Sequence, residues 1–188
     1  MAIKTFASGE ILTASDTNTY LANAGLVYIT STTVGSAVSS VTVSNCFSST
    51  YDNYMISIAG IVGASAANAL TAQFTASGTA STTGYYGNTF YISTGAAGSL
   101  TNATFSNGAF LEVMSLGNST GGTSGVFQIQ SPNRAAFTTV QFTNTDASYW
   151  RTGSFVHQVA TAYDGIKIST YGITMTGGTI TVYGYRKA

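Results

Sequence analysis

Polar and apolar side chains alternate at period two along most of this chain. The pattern is cleanest near its end, where Ile180 and Val182 fall on one face and Thr179 and Thr181 on the other. Such alternation marks a half-buried β-strand. From Leu26 onward it recurs between clusters of Gly, Ser, Asn and Thr that supply turns. It predicts strands at 26–34, 39–45, 53–61, 69–76, 85–92, 109–116, 125–131, 137–143, 150–160, 165–170 and 179–186. Tyr54/Ile56/Ile58, Val41/Val43, Phe127/Ile129, Val140/Phe142 and Ile166/Ile168 are assigned inward, and Gln128/Gln130 outward. Many short antiparallel strands with glycine turns imply two packed sheets, most simply an all-β jelly-roll sandwich over residues 26–188.

The segment before Leu26 has a different period. Thr13-Ala-Ser-Asp16 has the form of a capping box, and Ala14, Leu21 and Ala24 share one face of a helix predicted over 14–24, with Gly25 as its stop. Thr17, Asn18, Thr19 and Tyr20 are mediocre helix formers, so residues 1–25 are expected to be an arm that gains order by docking on a partner surface. Phe6, Ile11, Leu12 and Leu21 are its candidate docking side chains.

Two stretches break the alternation. Phe110 to Leu116 is apolar on both faces, and Tyr183 and Tyr185 lie opposite Ile180 and Val182. A second apolar face needs cover. Either a homo-oligomer interface supplies it, with Phe110, Glu112, Met114, Tyr183 and Tyr185 as its candidates, or the arm or a long loop does.

Composition narrows the partners. Only 6% of the residues are charged and the net charge is zero. A chain without a basic stripe cannot collect the phosphate contacts that nucleic acid requires, and it has no electrostatic attraction to a membrane surface. With 44% hydrophobic residues and little colloidal repulsion, the chain favours a homo-oligomer or a crowded array. Ser and Thr, roughly three residues in ten against ordinary usage, give the strands uncharged outer faces. Cys46 is the sole cysteine, which excludes an intrachain disulfide and a cysteine zinc cluster. No apolar run of signal-peptide or membrane-span length is present.

Catalytic chemistry is sparse. His157 is the single histidine and sits in a strand pattern, where a packed structural role is the simpler assignment. Among the six carboxylates only Glu112 falls mid-strand, and a glycosidase needs a second carboxylate across the sugar bond. Thr176-Gly-Gly-Thr179 and Thr120-Gly-Gly-Thr123 are expected to be hairpin turns and not phosphate cradles. No cofactor or metal is implied. Tyr85-Tyr86, Phe90, Tyr91 and Tyr149-Trp150 either stack on sugar rings or seal the ends of the sandwich.

Two segments carry a resemblance. Phe6-Ala-Ser-Gly-Glu-Ile-Leu-Thr-Ala-Ser-Asp-Thr-Asn-Thr-Tyr-Leu21 resembles the N-terminal segment of small virion proteins of tailed bacteriophages, with Thr17 standing where an apolar residue is usual. Phe47-Ser-Ser-Thr-Tyr-Asp-Asn-Tyr-Met-Ile56, Gly84-Tyr-Tyr86 and Gly178 to Tyr185 are similar to jelly-roll proteins that form phage capsid decorations, head fibres or fibre tips, with Met55 where arginine is frequent. The resemblance implies a non-enzymatic, homotrimeric module on the outer surface of a virion, its arm seated on the major capsid protein or another platform protein. Capsid decoration, cement or head fibre is the preferred location. The alternative is the receptor-binding tip of a tail or collar fibre, whose partner is a host surface glycan.

Overall fold

The computed structural model describes residues 6–17, 25–65, 68–93, 100–118, 121–145 and 149–187. Among the described residues a helical turn, α1 (Ala14–Asp16), is followed by strands: β1 (Leu26–Thr33), β2 (Ser40–Val43), β3 (Asn53–Gly63), β4 (Asn68–Ala76), β5 (Thr79–Ala80), β6 (Tyr85–Ser93), β7 (Leu100–Gly108), β8 (Leu111–Leu116), β9 (Thr123–Gln130), β10 (Thr138–Thr145), β11 (Tyr149–His157), β12 (Gly165–Thr170), β13 (Met175–Thr176) and β14 (Thr179–Tyr185). Two antiparallel sheets pack face to face as a jelly-roll-like sandwich. The larger, nine-stranded sheet runs β1, β14, β3, β9, β10, β11, β6, β7, with β13 also on β3. The smaller, five-stranded sheet runs β2, β12, β4, β5, with β8 on the other side of β4.

Alternation decides what fills the space between the sheets. Tyr54, Ile56, Ile58, Phe127, Ile129, Val140, Phe142, Ile180 and Val182 project from the large sheet onto Leu70, Phe74, Leu111, Val113, Ile166 and Ile168 of the small one, and all are buried. The intervening positions of β10 are exposed at every second residue. Such a two-layer arrangement removes the apolar stripe of each sheet from water, the main stabilising term for a domain of this size.

The structure adds one long strand that the pattern did not predict, β7, an edge strand whose side chains are mostly exposed. It also changes the two Thr-Gly-Gly-Thr segments. Gly177 and Gly178 do not reverse the chain: Met175 pairs with Gly63, Thr176 with Val62 and Thr179 with Ala59, so β13 and β14 continue along the same neighbour. Gly121 and Gly122 lead from β8 in one sheet to β9 in the other. The glycines answer a bulge in β3, where the register with β9 shifts between Ile58 and Ile61. Here three backbones meet. A Cβ on Gly122 would lie 2.7 Å from the Gly60 carbonyl carbon, and one on Gly178 would lie 2.5 Å from the Ala59 oxygen. All three glycines have positive φ: +70° at Gly60, +64° at Gly122 and +81° at Gly178.

Gly178→Ala should therefore lower stability by more than about 2 kcal/mol, combining left-handed strain with backbone collision. Gly172→Ala, also at positive φ but with open space around it, should cost only about 1 kcal/mol. Urea denaturation of the two variants measures the difference, and equal losses would show that the close approach contributes nothing.

Candidate functional site

The arm begins as its sequence predicts. Thr13 Oγ1 accepts a hydrogen bond from the Asp16 N–H at 3.1 Å, and Asp16 Oδ2 accepts one from the Thr13 N–H at 3.1 Å. This reciprocal box satisfies two N–H groups of the first turn. The rest of the helix predicted to residue 24, with Leu21, lies outside the described residues. Ile11 is 82% exposed, Leu12 50% and Phe6 38%. These apolar side chains are not absorbed by the core of this chain.

The interface candidates do not form one group. Met114 is completely buried, which corrects its assignment to an oligomer interface: it fills this chain's own core, and a Cβ on Gly125 would sit 2.3 Å from its methyl carbon. Phe110 is half-buried beside Tyr171, ring centroids 6.1 Å apart, next to the small sheet's outer strand β8. Tyr183 and Tyr185 are half-buried on the large sheet, where Tyr183 meets Tyr28 edge to face at 6.2 Å.

Glu112 has a partner 39 residues away. Its Oε1 accepts a hydrogen bond from Arg151 Nη1 at 2.6 Å, a bond between β8 and β11 that ties the two sheets together. The Arg151 guanidinium also lies 5.0 Å from the ring centre of Tyr91 and 5.8 Å from that of Tyr149. Those two rings, 5.9 Å apart and nearly perpendicular, both lie against the cation, so part of their surface is already engaged.

His157 is fully buried against the rings of Phe74, Tyr85 and Tyr163. Its Nε2 lies 3.0 Å from Ser81 Oγ and 3.1 Å from Tyr163 Oη. The Ser81 distance is that of a nucleophile and its base, but the other requirements of the pair are not met. Nδ1 has no hydrogen-bond partner among the described residues, so no acid orients the ring. Burial holds its pKa down at about 4, far below what a base working near neutral pH requires. Cys46 is equally inert: it is buried, its thiol donates to the Val43 carbonyl, and desolvation pushes its pKa up to about 12. Among the described residues no group of three potential ligands could hold a metal ion, and no helix is long and apolar enough to cross a membrane.

What the large sheet does present is an uncharged outer face. Tyr183, Met55, Gln128, Gln141, Ser154 and Asn88 oppose one another in turn across β14, β3, β9, β10, β11 and β6. The next row is Thr181, Ser57, Val126, Thr143, Thr152 and Phe90. Among the described residues only Glu112, Arg151 and Lys167 are charged within strands, and none of them stands on this face. Neighbouring strands are laced by side-chain hydrogen bonds, Ser31 to Thr181 at 3.0 Å and Thr139 to Gln130 at 2.9 Å. Phe90 and Trp150, 37% and 42% exposed, stand outward from β6 and β11, whereas Tyr85 is buried in the core.

Two outcomes follow from the buried polar groups. Glu112→Gln should destabilise the fold by about 3 kcal/mol, because Arg151 keeps its charge in a site where it is only 9% exposed. The double replacement Glu112→Leu with Arg151→Met should recover much of that loss, as a denaturation cycle measures. For His157 the folded-state pKa lies below the unfolded one, so the unfolded chain binds the extra proton and stability falls as pH drops from about 6.5 toward about 4. The loss should approach about 3 kcal/mol and should be missing from the pH profile of His157→Asn. No family model matches this chain, and no curated protein and no solved structure matches it either.

Proposed function

We propose that the chain is a non-enzymatic structural protein of a tailed-phage virion, an outward-facing homotrimeric jelly roll docked by its N-terminal arm. Capsid decoration, cement or head fibre is the preferred placement. The observation that carries the proposal is the exposure of Ile11 and Leu12 directly before the Thr13–Asp16 capping box. Apolar side chains of this size, left in water, supply about 25 cal/mol per Å2 to whatever surface covers them. The same residues lie in the segment Phe6 to Leu21 that resembles the N-terminal segment of phage virion proteins, which supports a docking role for them. Homotrimer formation is supported by composition: a chain of zero net charge gains solubility by closed association. The alternative, a glycan-binding fibre tip, draws support from Phe90 and Trp150, which point away from the core.

Deleting residues 1–25 should leave a folded sandwich whose mass by light scattering is still that of a trimer, and which no longer joins particles stripped of the native protein. Leu12→Asp with Leu21→Asp should do the same. A truncated protein that still decorates particles, or that fails to fold, defeats the docking assignment, and a stable monomer at micromolar concentration defeats the trimer.

A further inference from the structure

The outer face of the large sheet is hollowed at its centre. A shallow trough of about 470 Å3 lies over β9, β10, β11 and β6, with Phe90 on one side, Val126 on the other, and Gln128, Gln141, Thr143 and Ser154 between them. We propose that this trough binds a neutral glycan, an uncharged chain of hexose or N-acetylhexosamine units. The proposal rests on the glycan-binding alternative and not on the arm, so it holds or fails independently of where the protein docks.

Chemistry selects the occupant. The trough offers two amides and several hydroxyls, each able both to donate and to accept, which is the complement of a sugar's hydroxyl groups. It offers no ammonium or guanidinium for a phosphate, sulfate or uronic acid, and no carboxylate for a basic peptide. Placing a charged ligand there would strip its hydration without a counter-charge to replace it. Phe90 supplies the apolar surface on which the C–H face of a pyranose packs, and Trp150, outside the trough but on the neighbouring strand and the same face, is a further exposed aromatic within the reach of a chain. The volume falls in the range of small-molecule sites.

A second copy of this chain is a weaker fit. Two hollow faces set against each other enclose a void, and the amides of Gln128 and Gln141 would lose water without gaining fixed partners. Rigidity favours the sugar. The backbone of these residues belongs to central strands paired on both sides, so only side-chain rotamers are left to order on binding.

The full-length protein should be applied to an array of neutral oligosaccharides, including glucose, galactose and N-acetylglucosamine chains, beside sialylated and uronic ones. Neutral chains should be retained and acidic ones not, and retention should be unchanged across a roughly tenfold range of salt, because no ion pair is involved. Phe90→Ala and Gln141→Ala should each weaken binding by about tenfold or more with melting temperature preserved, while Tyr171→Ala, at an exposed site near the small sheet, should leave it unchanged. Absence of any neutral ligand on the array, selective retention of acidic sugars, or binding that survives Phe90→Ala combined with Gln128→Ala would overturn the proposal. So would Gln141→Arg, if it dissociated the oligomer in light scattering, since the face would then belong to another copy.

Discussion

The close passage of three backbones at Gly60, Gly122 and Gly178 is the constraint on which the large sheet depends. β3 is paired on both sides, with β14 and β13 along one edge and β9 along the other. Its bulge would break one of these ladders unless both neighbours bent with it. Side chains there would hold the strands apart, whereas glycine lets each follow the kink and keep its hydrogen bonds on either side. Ile56, Ile58 and Ile61 thus all stay buried although the strand between them is irregular.

The second organising fact is where charge has been put. Among the described residues the carboxylates and cations are in the arm, in turns, near the end of the chain or in the pair between the sheets, with Lys167 on β12 as the exception. Asp52 and Lys187 meet at 3.0 Å where the end of the last strand passes the turn before β3. Exposed pairs of this kind contribute little. The inter-sheet pair differs: Arg151 is held by a carboxylate and two aromatic rings, a geometry that fixes how β8 sits over β11 more than it adds net stability.

Most of the sandwich was legible in the sequence because its strands are buried on one face only, so parity along β3, β9, β10 and β14 reports the core directly. β7 escaped because it is an edge strand with Phe105 as its one large inward side chain, leaving no apolar rhythm to read. The Glu112–Arg151 pair was hidden by sequence distance, although Arg151 shares inward parity with Phe155 and His157 and so announced a buried cation. Met114 was misassigned for a related reason: with both faces of β8 apolar, only the missing side chain of Gly125 on another strand reveals which pocket it fills. The neutral face needed register as well, since residues as far apart as Asn88, Gln128 and Ser154 become neighbours only once the strand order is known.

Cys46 gives this fold an internal clock. Its sulfur is packed just past β2, the edge strand of the small sheet, and is both shielded and protonated at any ordinary pH. A thiol reagent can reach it only when a local opening near that edge uncovers it, so the rate of modification counts such openings. No other cysteine competes for the reagent. The breathing of one layer of the sandwich can thus be timed separately from global unfolding, with no label introduced into the protein.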